Sequence, residues 1–160
     1  MANQEVRFSS RAYVSGAHTG IERKDTVLRK FYVDVALCCN NAGLGACIPH
    51  LAVNRPEKPD YTPRETSLRI EKDIVESRLL IAYVGVNSTD VGFDMALAQK
   101  LDLPIVLVYG NKVVVFDEER PSQRILGTVG VVRIVTGDMY AELISNMTAA
   151  LREVRQKFSL

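Results

Sequence analysis

The sequence predicts an α/β fold, a single doubly wound sheet of about five mainly parallel strands with helices on both faces. Two observations carry this. Short runs rich in Val and Ile recur along the chain and alternate with longer segments of helical period. The runs are also nearly continuous in apolar character, as strands buried on both faces of a parallel sheet tend to be.

In order, residues 12–15 (AYVS), 46–49 (ACIP), 79–84 (LLIAYV), 104–109 (PIVLVY) and 130–135 (GVVRIV) read as the strands. Residues 25–42 form a helix whose apolar face includes Leu28, Val35 and Cys39, and Gly43 supplies its stop. Thr62-Pro63-Arg64-Glu65 opens the next helix with a Thr cap, Pro at the first helical position and Glu three residues after the cap. That is a capping box, and the helix it starts runs to about Ser77. Residues 90–101 and 138–157 complete the helices. The KVVVF run at 112–116 fits either an edge strand or a hairpin arm, and residues 50–61, with two prolines, read as a surface loop. Such an arrangement is flavodoxin- or Rossmann-like, with right-handed crossovers.

Length and composition agree with one domain spanning 1–160. The chain has 160 residues, of which 47% are hydrophobic, enough to build a core. Twenty Lys and Arg face nineteen Asp and Glu, so the basic excess of a general nucleic-acid binder is missing. No apolar run approaches the roughly 20 residues of a membrane helix, and the N-terminal MANQEVRFSSR is too polar for a signal peptide. Cys38, Cys39 and Cys47 are odd in number and lack CxxC spacing, which supports neither a disulfide framework nor a zinc site. A soluble, reduced, cytoplasmic protein without metal or organic cofactor is the expectation.

In doubly wound sheets ligands bind beyond the carboxyl ends of the strands. Three segments lie there: 15–23, 49–61 and 85–94. The last is the most informative. Asn87-Ser88-Thr89-Asp90-Val91-Gly92-Phe93-Asp94 leaves a buried strand and enters a helix, whose first N–H groups favour an anion or a polar oxygen. Val91, Met95 and Ala98 share one apolar stripe, and Asp94 falls on it at i+3. A carboxylate there must be paired, hydrogen-bonded or open to a cleft. The plainer alternative is that Asp94 only complements the helix dipole. With an ordinary acidity near pKa 4 it would be ionised at neutral pH.

After the first strand, Gly16 would allow close approach of backbone to a ligand. Tyr13 alternates toward one face near the strand end, where its hydroxyl could meet Asp94; an ordinary core tyrosine is the alternative. His18 and His50 are the only histidines, each just past a strand, and two such residues alone are a poor basis for a metal site. Ser15 and Ser88 lack the GxSxG elbow of serine hydrolases. Cys38 and Cys39 lie in mid-helix, where buried thiols are usual.

These residues, AYVSG at 12–16, IPHL at 48–51 and SRLLIAYVGVNSTDVGFDMALA at 77–98, resemble the nucleoside 2-deoxyribosyltransferase superfamily, which includes nucleoside 5′-monophosphate N-glycosidases. The resemblance covers roughly residues 12 to 109. It implies a carboxylate nucleophile that attacks the anomeric carbon, expels the base and forms a glycosyl-enzyme ester, which a second base or water resolves. By the same resemblance Asp94 takes the nucleophile position, one methylene shorter than the family's Glu, and Tyr13 is the tyrosine that orients it. Ser15, Gly16, His18, His50, Asn87, Ser88 and Gly92 would line the substrate. The resemblance also implies a homo-oligomer, dimer or higher, and a small-molecule nucleoside or nucleotide as partner. The chain departs from the family pattern at Ile70, where an Asp is common and Glu71 and Asp73 stand nearby, and at Ser77-Arg78 in place of Ser-Asp. Ala17 and Thr19 replace the Ser and Arg of monophosphate-specific members, leaving Arg23 as a candidate cation. Two other readings remain open: a nucleotide-binding module without turnover, and an interaction domain with no nucleoside ligand.

Overall fold

In a computed structural model, residues 10–17, 25–49, 61–111, 115 and 120–160 are described. Five strands form one all-parallel sheet: β1 (Arg11–Ser15), β2 (Gly45–Cys47), β3 (Leu79–Tyr83), β4 (Ile105–Val108) and β5 (Val131–Val135). Their order is β2-β1-β3-β4-β5. Among the described residues the helices are α1 (Asp25–Asn41), α2 (Pro63–Val75), α3 (Thr89–Lys100), the single-turn α4 (Gln123–Leu126) and α5 (Tyr140–Phe158).

The sheet divides the core in two. On one face α1 and α5 close over Val14, Ile81, Tyr83, Val106 and Val108. On the other, α2, α3 and α4 cover Tyr13, Leu80, Ala82, Ile105 and Leu107. Alternate residues of the same strands serve opposite faces, which is why β3 and β4 are buried throughout and read as unbroken apolar runs. This α/β architecture is the predicted one.

The local signals act as their chemistry requires. Gly43 has φ +77°, and the N–H groups of Gly43 and Leu44 close on the carbonyls of Asn40 and Cys39, the paired bonds of a Schellman stop. Thr62 caps α2: Glu65 N–H donates to Thr62 Oγ1 at 3.3 Å, and Thr62 N–H donates back to Glu65 Oε2 at 2.8 Å.

The outer strands differ from expectation. β2 ends at Cys47 rather than 49; Pro49 has no N–H for a ladder bond. β5 is an edge strand and is not buried on both faces, since Arg133 and Ile134 are exposed. α5 packs on one side of β5, where Val132 and Val135 join its core, and among the described residues only the single turn α4 approaches the other side, a helix not anticipated from the sequence although Ser122 caps it. Of the 112–116 run only Val115, which is buried, falls among the described residues, and of the 50–61 loop only Tyr61.

Candidate active site

The carboxyl ends of β1 and β3, the central pair of this half of the sheet, support the site. Ser15 closes β1, paired in register with Ala82, and is only 1% exposed. Tyr13 lies two residues earlier and therefore on the same face. Opposite both stands α3, whose buried stripe is Val91, Asp94, Met95 and Ala98. Asp94 is thus carried to the strand end by a helix that must bury its neighbours.

Asp94 is 9% exposed, and the Ser15 hydroxyl donates to its Oδ2 at 2.6 Å. Burial raises its pKa from the usual 3.8 to about 6; the Ser15 bond pulls the other way, the Asp90 charge adds to the rise, and the Tyr13 hydroxyl opposes it weakly. The expected ordinary acidity is therefore corrected: leaving water disfavours the charged form, and at pH 7 about nine-tenths of the groups are ionised. The helix-dipole reading belongs to Asp90, which lies in the first turn of α3; Asp94 is one turn further in.

The Tyr13 hydroxyl is also buried and lies near enough to feel the Asp94 charge, yet it makes no hydrogen bond of ordinary geometry. Burial first, and Asp94 next, keep it protonated. Ser15, taken from the sequence as a substrate contact, is the residue that touches the carboxylate.

Ser88 caps α3, with Val91 N–H at 3.5 Å from its Oγ, and is partly buried; Asn87 beside it is exposed. Gly92, one turn into α3, faces open space, with nothing within 4 Å of where a Cβ would sit. Gly16 has the opposite surroundings. A Cβ there would collide with the Tyr32 hydroxyl, and that hydroxyl donates to Ala17 O at 3.3 Å. The close approach that Gly16 permits is to Tyr32 of α1, a residue the sequence did not single out. His18 and His50, with Thr19 and Arg23, lie outside the described residues.

Around Ile70, where the family's acid is absent, Asp73 pairs with Arg11 at 3.6 Å, and Arg11 also reaches Glu76 at 3.3 Å. The Cys47 thiol is pushed up to about 11, chiefly by burial and then by Asp73, which disfavours the thiolate at neutral pH. Cys39, buried in α1, is pushed up to about 12. Among the described residues no group of three His, Cys, Asp or Glu could hold a metal ion, and no helix is long and apolar enough to cross a membrane.

No family model matches the chain, and no curated protein matches it by sequence. Solved structures do match in shape. BlsM is 19% identical, with a TM-score of 0.65 over 94% of both chains. The CMP N-glycosidase BcmB of Clostridium botulinum is 15% identical with a TM-score of 0.61, over 88% of this chain and 98% of its own. A 2-desoxiribosyltransferase from Leishmania mexicana is 11% identical with a TM-score of 0.58, over 88% and 97%. The flavoenzyme FerB of Paracoccus denitrificans also matches, at 13% identity and a TM-score of 0.56. At such identities the likeness is one of fold. It includes proteins of the superfamily that the sequence resembles, and it also includes different chemistry, so function has to be argued from the site.

Proposed function

We propose that the protein breaks or transfers the N-glycosidic bond of a (deoxy)nucleoside or nucleoside 5′-monophosphate, with Asp94 as nucleophile. The observation that carries the proposal is Asp94 itself: a buried carboxylate, still largely charged at pH 7, at the carboxyl edge of the sheet. The shared fold of a CMP N-glycosidase and a deoxyribosyltransferase supports it. In this reading the free carboxylate oxygen attacks the anomeric carbon. The C–N bond breaks, and its electrons leave with the base, which takes up a proton. The resulting ester is resolved by a second base, giving transfer, or by water, giving hydrolysis; either returns the carboxylate. Ser88 and the open side of Gly92 would accommodate sugar or phosphate, Tyr13 would flank the nucleophile, and no cofactor is needed. The active form would be a homo-oligomer, dimer or higher.

The test is a panel of nucleosides and their 5′-monophosphates, with and without an acceptor base, followed by chromatography of free base and new nucleoside. Product with the wild type and none with Asp94→Ala supports the proposal; undiminished product from Asp94→Ala removes it.

Two observations favour a second reading, a binding module without turnover. Asp94 is one methylene shorter than the family's Glu, and one of its oxygens is already held by Ser15. A displacement near 1 Å from a reacting carbon can lower a rate about 10²-fold. Calorimetry distinguishes the two: saturable nucleotide binding with no base released over hours identifies the module.

A further inference from the structure

Two donors approach Asp94 from a single strand. Ser15 and Tyr13 sit at i and i−2 on β1, so both side chains leave the sheet on the α3 side. The short one, at the strand end, makes a hydrogen bond of good geometry; the long one, starting one pleat lower, does not, and acts on the carboxylate more weakly. Ser15 is well suited to hold a fixed direction. It is 1% exposed, its backbone is locked in the β1–β3 ladder, and its one hydroxyl proton is directed at Oδ2 at 2.6 Å. A bond of that length between a hydroxyl and a carboxylate is charge-assisted, and it is stronger with the ionised acid than with the neutral one.

From this we infer that Ser15 is the positioning residue of the site: it fixes Oδ2 of Asp94 and so leaves Oδ1 as the oxygen presented to the reacting carbon. This rests on the reading of Asp94 as nucleophile, and it moves Ser15 from the substrate side of the pocket to the enzyme side. It also assigns to Ser15 the orienting role that the resemblance implied for Tyr13. Holding one oxygen fixes the rotation of the carboxyl about its Cβ–Cγ bond, which a short side chain with little reach most needs. The other groups acting on Asp94 cannot do this. Asp90, on the same helix, repels its charge, and Tyr13, on β1, stays neutral and favours the charged carboxylate less than Ser15 does, without a hydrogen bond of good geometry; among the described residues no cation is one of the influences on it.

The decisive experiment titrates the Asp94 side-chain carboxyl by carbon-13 NMR in the wild type, Ser15→Ala, Ser15→Cys and Tyr13→Phe, with no substrate present. Losing a hydrogen bond to a charged group raises the midpoint by about one to two pH units. Ser15→Ala is expected to show that rise. Ser15→Cys should show most of it, because a thiol fills the space but donates weakly. Tyr13→Phe should move the midpoint less than either. If the wild type turns over a nucleoside, the acid limb of its pH–rate profile moves with the midpoint. Ser15→Ala then loses about two- to tenfold in kcat at pH 7 from ionisation alone, and nearly all of that share returns at pH 9, leaving only the loss due to misplacement. An unshifted midpoint in both Ser15 variants, or a larger shift in Tyr13→Phe, overturns the assignment. So does a rise in KM with kcat and pH profile unchanged, which would return Ser15 to substrate binding. A wild type with no turnover would count against the glycosidic reaction, whereas the substrate-free midpoints would still decide whether Ser15 holds the carboxylate.

Discussion

Replacing Asp94 by Asn should make the protein more stable at neutral pH while removing its proposed nucleophile. The magnitude follows from burial. Asp94 titrates at about 6 in the folded chain against 3.8 for an ordinary aspartate, the rise being set mainly by desolvation. Between those values the folded chain binds a proton that the unfolded chain has released. Stability from this group is therefore fully present below about pH 3.8 and is lost as pH rises through 6. A rise of about two units, at about 1.36 kcal/mol each, is a penalty of about 3 kcal/mol at pH 7 and above. Asn carries no charge to desolvate, and its amide oxygen still accepts from Ser15. Asp94→Asn should thus gain up to about 3 kcal/mol at pH 8, or about 6–12 °C in Tm for a chain of this size. At pH 3.5, where the wild-type carboxyl is mostly protonated in both states, the gain should largely disappear. Urea denaturation of both proteins from pH 3.5 to 8.5 measures this directly. A difference that does not vary with pH, or an Asn variant less stable than wild type at pH 8, would refute the argument that a desolvated charge is held in the site.

The two glycines of the site should respond oppositely. Gly92→Ala adds a methyl to open space in a helix and should stabilise by about 0.5–1 kcal/mol; if sugar or phosphate passes over this turn, calorimetry should show weaker nucleotide binding by the same more stable protein. Gly16→Ala drives a methyl into the Tyr32 hydroxyl and should cost about 1–3 kcal/mol in thermal or urea unfolding, and the double variant with Tyr32→Phe should recover part of that loss because the nearest clashing atom is gone. Thr62→Ala removes one side of the capping box of α2 and should lower stability by about 1 kcal/mol, with no effect on the Asp94 titration.

The local features legible in the sequence are those whose causes lie within a few residues. Apolar run and helical period place β1, β3, β4 and the four longer helices; Thr62, Glu65 and Gly43 mark helix ends through bonds to their own neighbours. The same helical period puts Asp94 on the inward stripe of α3, and so flags a buried carboxylate before any coordinates are known. No comparable signal announces the one-turn α4, which is too short to show a period, or the exposure of Arg133 and Ile134. That exposure depends on β5 being an edge, a property of strand order.

What the sequence by itself determined, then, is the five strands and four longer helices, their alternation and the inward face of the buried ones, because 3.6-residue and two-residue periods are written in adjacent positions. What only the tertiary structure decided is which groups meet. Ser15 and Asp94 are 79 residues apart, and they touch because β1 lies beside β3 and α3 packs back across that pair. Gly16 makes room for Tyr32, a partner on another element, rather than for a ligand. The acidity of Asp94 likewise belongs to its surroundings: the residue type specifies a carboxyl, but how much water is excluded from it depends on everything packed around it.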